Sequence, residues 1–105
     1  MKLSSKQARY LKGLAHHLKA VVMVGDKGVS EGVVEKVTVE LENHELIKVK
    51  FTDSAPENGR DAGPKLAESA GASLVQVIGG VVILYRARSK KPTIKLPKAS
   101  APVDA

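Results

Sequence analysis

Two apolar runs, Ser73 to Ile78 and Val81 to Arg86, are separated only by Gly79-Gly80. Strand-like segments joined by a two-residue glycine turn read as an antiparallel β-hairpin, the turn tolerating positive φ at both positions. A lone hairpin is not stable in water, so the rest of the chain has to supply further strands and a covering layer. Two more strands precede it. Ala20 to Val24 is short, rich in β-branched valine and stopped at once by Gly25, which predicts a buried strand. In Leu46 to Phe51, Leu46, Lys48 and Lys50 alternate with Ile47, Val49 and Phe51, the period-two pattern of a strand with one face buried.

Helical periodicity fills the intervals. Leu11, Leu14, Ala15 and Leu18 form one stripe of a first helix starting near Ser4 or Ser5, with Lys2, Lys6, Arg9, Lys12 and His16 broadly opposite. Val29, Val33, Val37 and Leu41 recur every four residues, predicting a second helix that Ser30 can cap and that ends near Asn43. Residues 52 to 60 hold turn formers without apolar periodicity and read as a surface loop. A short third helix is expected to start between Asp61 and Pro64 and to stop at Gly71, with Leu66, Ala67 and Ala70 as its thin core face. The order αβαβαββ predicts a two-layer α/β sandwich in which a four-stranded mixed sheet carries three helices.

At 105 residues the chain supports one core. That domain is expected over residues 1 to 88, followed from 89 to 105 by a basic, then low-complexity tail expected to be extended or disordered, within which Thr93 to Leu96 can lie briefly along the domain. No run of apolar residues approaches a membrane span and no secretory leader opens the sequence, so a soluble, cytoplasmic protein is expected. Cysteine is absent, which removes disulfides and thiolate metal sites. His16-His17 and His44-Glu45 have no third ligand or activated nucleophile spaced to join them. No metal, cofactor, small-molecule substrate or enzymatic activity is expected.

Charge is segregated. Residues 1 to 19 carry five basic side chains and no acid, residues 86 to 98 carry six and no acid, and residues 29 to 68 carry five basic against nine acidic. Basic ends flanking an acidic middle favour a polyanionic partner, a nucleic acid or an anionic membrane. The basic helix lacks the Trp or Phe anchors of interfacial helices, which weighs against the membrane. A solvated surface with a basic tail is the plain alternative.

Local chemistry points to Gly25-Asp26-Lys27-Gly28, a glycine-bounded loop leading from a strand into a helix. Missing Cβ atoms let backbone N–H groups approach a sugar-phosphate chain, Lys27 adds charge, and the GXXG loops of KH domains clamp nucleotides in this way. An ordinary strand-to-helix turn has the same composition. Asp26 would repel phosphate if it pointed outward, so its carboxylate is expected to bond the N–H of Gly28 or Val29. Of the three aromatics, Phe51 reads as core and Tyr85 as either core or base-stacker, too few for a stacking platform.

The blocks Leu11-Lys12-Gly13-Leu14-Ala15-His16, Gly25 to Gly28 with Glu31-Gly32-Val33, His44 to Lys50, Val75-Gln76-Val77-Ile78-Gly79 and Leu84-Tyr85-Arg86, with Leu3-Ser4 and Lys6-Gln7 before them, resemble the bacterial YhbY-type CRM domain over residues 1 to 97. The resemblance implies a KH-like RNA-binding module with a four-stranded mixed sheet and three helices, associating with ribosomal RNA in precursors of the large subunit. Gly63-Pro64, expected to disturb the start of the third helix, and the acidic Asp26 depart from the pattern. The expected RNA contacts are Gly25, Asp26, Lys27 and Gly28 at the loop, Lys6, Arg9 and Lys12 on the first helix, and Arg86 and Arg88 after the last strand. A module that binds an assembly factor or ribosomal protein, its charges steering the encounter, is the alternative.

Overall fold

The computed structural model describes residues 3–97. Lys2, counted above on the basic helix face, and the tail from Lys98 onward lie outside them. The chain runs α1 (Ser5–Ala15), β1 (Ala20–Val24), α2 (Glu31–His44), β2 (Leu46–Phe51), α3 (Gly59–Ser69), β3 (Ser73–Ile78) and β4 (Val81–Tyr85), the expected αβαβαββ order. Its four strands form one mixed sheet in the order β1-β2-β4-β3, with β1 parallel to β2 and the other neighbours antiparallel.

Side-chain caps start each helix. Ser4 and Gln7 form a reciprocal capping box on α1, each side chain accepting the other's backbone N–H at 3.1 Å. Ser30 Oγ accepts from Val33 N at 3.3 Å to open α2, and Asn58 Oδ1 accepts from Asp61 N at 2.8 Å to open α3. The Asn58 cap corrects the expected start of the third helix: α3 begins at Gly59, inside the supposed loop, and Pro64 stands in its second turn. Proline supplies no N–H to the carbonyl of Arg60, yet the helix runs through. Gly63 does not break it either, and lies against β4, where an added Cβ would be 3.2 Å from Val82 Cγ2.

One face of the sheet carries α2 and α3. Val37 and Leu41 from α2 and Ala62, Leu66 and Ala67 from α3 close over Val22, Val24, Ile47, Val49, Phe51, Val82 and Leu84. On the other face α1 covers one end only, setting Leu11 and Ala15 on Leu46, Val75, Ile83 and Tyr85, with Leu3, Ile94 and Leu96 packed around them. Phe51 and Tyr85 are therefore both core.

Three further expectations change here. β1 is an edge strand buried on one face, with Met23 57% exposed, because no helix covers its other side. Leu14 and Leu18 are exposed: Leu18 lies beyond the end of α1 at Ala15, and Leu14, within the helix, lines a surface cleft instead of the core. In the hairpin only Gly79 has positive φ; what restricts Gly80 is space, as a Cβ there would lie 2.8 Å from the carbonyl oxygen of Phe51.

Candidate nucleic-acid interface

The Gly25–Gly28 segment is a tight turn closed by Gly28 N–H donating to Gly25 O at 2.9 Å. That N–H is therefore not offered to Asp26, whose carboxylate makes no side-chain hydrogen bond among the described residues; Asp26 and Lys27 stand exposed at the tip. Gly28 has φ +66° and is buried, and a Cβ on it would come within 2.9 Å of Pro56 Cγ. The second glycine is thus needed to seat the turn against the 52–58 loop, and the solvent-facing part of the turn is Asp26-Lys27.

Arg86 and Arg88 lie elsewhere. Arg86 reaches towards the α2–α3 side, donating from Nη1 to Ala70 O at 2.9 Å and from Nη2 to Thr38 O and Glu42 Oε1, each at 3.4 Å. Arg88 Nη2 donates to Asn43 O, and its Nε is buried without a partner among the described residues. Guanidinium groups are favoured beside the carbonyl ends of helices, and these two tie the end of β4 to α2 and α3. Glu42 is held below the usual carboxylate range chiefly by the Ser89 hydroxyl at 2.6 Å, against the opposing effect of desolvation, with further help from the Ser89 N–H and Arg86.

Beyond the Ser89–Glu42 contact the chain is strapped to the domain chiefly by a second carboxylate, that of Glu45. Glu45, at the C-cap of α2 with φ +66°, is fully buried. Its Oε1 accepts from Thr93 N at 2.8 Å, Thr93 Oγ1 at 2.7 Å and Ile94 N at 3.0 Å, and its Oε2 from Arg88 N at 3.0 Å. Burial pushes the carboxyl up, but these donors prevail and bring it from 4.5 to about 2. Gln7 Nε2 secures the strap further on, donating to Pro97 O at 3.0 Å.

The α1 residues Lys6, Arg9 and Lys12 are exposed, and Lys12 joins a cluster that sequence reading did not assemble. Where α1 leaves the sheet uncovered there is a groove of about 560 Å³. Lys12, His16 and Lys19 line it from α1 and the turn that follows, Lys48 and Lys50 line it from β2, and no acidic residue among the described residues joins them. Lys48 and Lys50 are two residues apart on one strand, hence about 7 Å apart along it. Lys50 pairs with Met23, two residues before Gly25, so the glycine turn follows at the same end of the sheet. The groove thus unites Lys12 with His16, Lys19, Lys48 and Lys50 and lies near the turn, while Arg86 is engaged with the opposite layer. The available clue was the alternation in β2, which opposes Lys48 and Lys50 to the buried Ile47, Val49 and Phe51.

Residues 3–86 match the CRS1 / YhbY (CRM) domain. The chain belongs to this family. Among its relatives, the Haemophilus influenzae protein named "RNA-binding protein" is 43% identical over 96 residues, covering 91% of this chain and 96% of the relative. The Bacillus subtilis protein named "Probable RNA-binding protein YqeI" is 35% identical over 95 residues, covering 90% and 99%. The solution structure of a hypothetical protein from Staphylococcus aureus superposes with a TM-score of 0.77 at 35% identity, covering 90% of this chain and 99% of that one. Among the described residues no helix is long and apolar enough to cross a membrane.

Proposed function

We propose that this CRM-domain chain is a cytoplasmic, non-catalytic RNA-binding protein that grips backbone phosphates, with ribosomal RNA in precursors of the large ribosomal subunit as its target during assembly. The observation that carries the reading is the groove on the α1 side of the sheet, where Lys12, Lys19, Lys48 and Lys50 converge with no acid among the described residues in the lining. Four ammonium groups around one concavity are matched by a polyanion, and each phosphate neutralised releases condensed counterions. The names of the relatives point the same way. Lys27 at the tip of the glycine turn and Lys6 and Arg9 on α1 extend the contact beyond the groove. Arg86 and Arg88 act indirectly, holding the C-terminal strap and helix ends in place.

Binding to large-subunit rRNA fragments over a salt series tests this. Log affinity is expected to fall linearly with log salt, and Lys48→Ala/Lys50→Ala to reduce the slope by about 1 to 2. A flat salt dependence, or an unchanged slope in the variant, would remove the groove from the account.

A second reading has its own observation. Leu14, Leu18 and Val21 are exposed around a cleft of about 370 Å³ beside the edge strand β1, a surface that suits a protein partner such as an assembly factor or ribosomal protein. Leu14→Ser/Val21→Ser separates the two, because these side chains line the cleft and not the groove: the variant should lose a protein partner held there and keep its RNA affinity.

A further inference from the structure

We infer that the groove takes an unpaired nucleotide, with its base on the groove floor and its flanking phosphates on the lysine rim, and that Gln76 is the residue that reads the base. The inference rests on the RNA-binding reading and specifies which form of RNA that site accepts.

The floor is the first reason. Between the lysines it consists of Ala20, Ile78, Val81 and Ile83, and Ile78 is 56% exposed. A phosphate gains nothing from aliphatic surface, whereas the face of a base does. The shape is the second. An A-form duplex is convex and keeps its base faces stacked inside, so it can touch the rim but sets no base on the floor; single-stranded loops and bulges can splay one out.

Gln76 is the third. It lies half-buried in the lining, and its carboxamide has no hydrogen-bond partner among the described residues. A carboxamide offers a donor and an acceptor side by side, the pattern that pairs with an adenine edge through N6 and N7. Its aim depends on an irregularity in the pairing of β3 with β4. Leu74 pairs with Leu84, then Gln76 with Ile83, so the register shifts by one residue between them. Strict alternation from the core-facing Leu74 would send residues 76 and 78 to the core. The shift instead leaves Val77 against the α2–α3 core and turns Gln76 and Ile78 into the groove. Bulges that re-aim a side chain are a recurrent feature beside functional sites.

Anisotropy titrations with labelled homopolymeric RNAs of about twelve nucleotides and a paired duplex of equal length, at one salt concentration, test the inference. The wild type is expected to bind poly(A) about tenfold more tightly than the duplex and to rank it above poly(U) and poly(C). Gln76→Ala should compress the differences among homopolymers to about twofold while leaving the salt slope unchanged, since no phosphate contact is lost. Ile78→Ser, at an exposed position, should weaken all single strands and spare the duplex. Lys48→Ala/Lys50→Ala should weaken every RNA. Duplex binding as tight as single-strand binding, or a ranking unchanged in Gln76→Ala, would overturn the inference and leave phosphate gripping intact. Failure of the wild type to bind any of these RNAs would overturn both.

Discussion

Replacing Glu45 by Gln changes one charge and almost no volume, and it should cost this domain about 2 to 3 kcal/mol. The carboxylate is fully buried at a position with φ +66°, a backbone conformation that disfavours a glutamate, yet it accepts four hydrogen bonds from Arg88, Thr93 and Ile94. Those bonds bring the carboxyl from 4.5 to about 2, which corresponds to about 3 kcal/mol of preference for the charged form in the folded state. Glutamine keeps one oxygen for Thr93 and Ile94 but turns an NH₂ towards the N–H of Arg88, setting donor against donor. The sign with pH follows from the depressed value. The contribution is complete above the unfolded value of 4.5 and is lost progressively as the pH falls towards about 2. Urea unfolding of both proteins between pH 7 and pH 2 measures it. The wild type should be more stable by about 2 to 3 kcal/mol at neutral pH, with the difference closing in acid. A difference below about 0.5 kcal/mol at pH 7, or one that does not change with pH, would refute the assignment of this carboxylate as the strap's anchor.

Other expectations follow from neighbouring geometry. Tyr85 is raised above its ordinary 10 first by burial and then by the charge of Glu45, so Glu45→Gln should lower its spectrophotometric midpoint without returning it to 10. Gly28→Ala places a Cβ within 2.9 Å of Pro56 at φ +66° and should lose about 2 kcal/mol by chemical denaturation. Arg86→Gln should destabilise by about 1 to 3 kcal/mol, read in the same way, while changing the RNA salt slope by less than Lys48→Ala does. Lys27→Ala should weaken RNA binding by less than Lys48→Ala/Lys50→Ala, because Asp26 beside it already offsets its charge.

The strands were legible because their patterns are local. Valine-rich runs, strict alternation and a glycine pair located all four within a residue, and Ser4 and Ser30 marked two helix starts. The third helix was misplaced because Asn58, its cap, stands among turn formers in which a capping asparagine and a loop asparagine look alike. Whether β1 lies inside the sheet or at its edge depends on pairing between distant segments, so an apolar run could not reveal that Met23 is exposed. The same limit governed the site. The spacing of Gly25 and Gly28 picked out a real turn, but the burial of Gly28 depends on Pro56, nearly thirty residues away. Arg86 and Arg88 are as basic as any phosphate ligand, and only the fold shows that their guanidinium groups meet Ala70, Thr38 and Asn43. Lys48 and Lys50 were visible on the polar face of a strand. Their meeting with Lys12 and Lys19 required knowing that α1 covers half the sheet and leaves the other half open.

The most direct test of the central claim is an NMR titration of the ¹⁵N-labelled protein with a single-stranded rRNA fragment, following backbone amide shifts. The largest changes are expected at Lys48, Lys50, Gln76 and Lys19, with smaller ones at Lys12 and Lys27. Changes concentrated on α3 and around Arg86, with the groove silent, would contradict the claim.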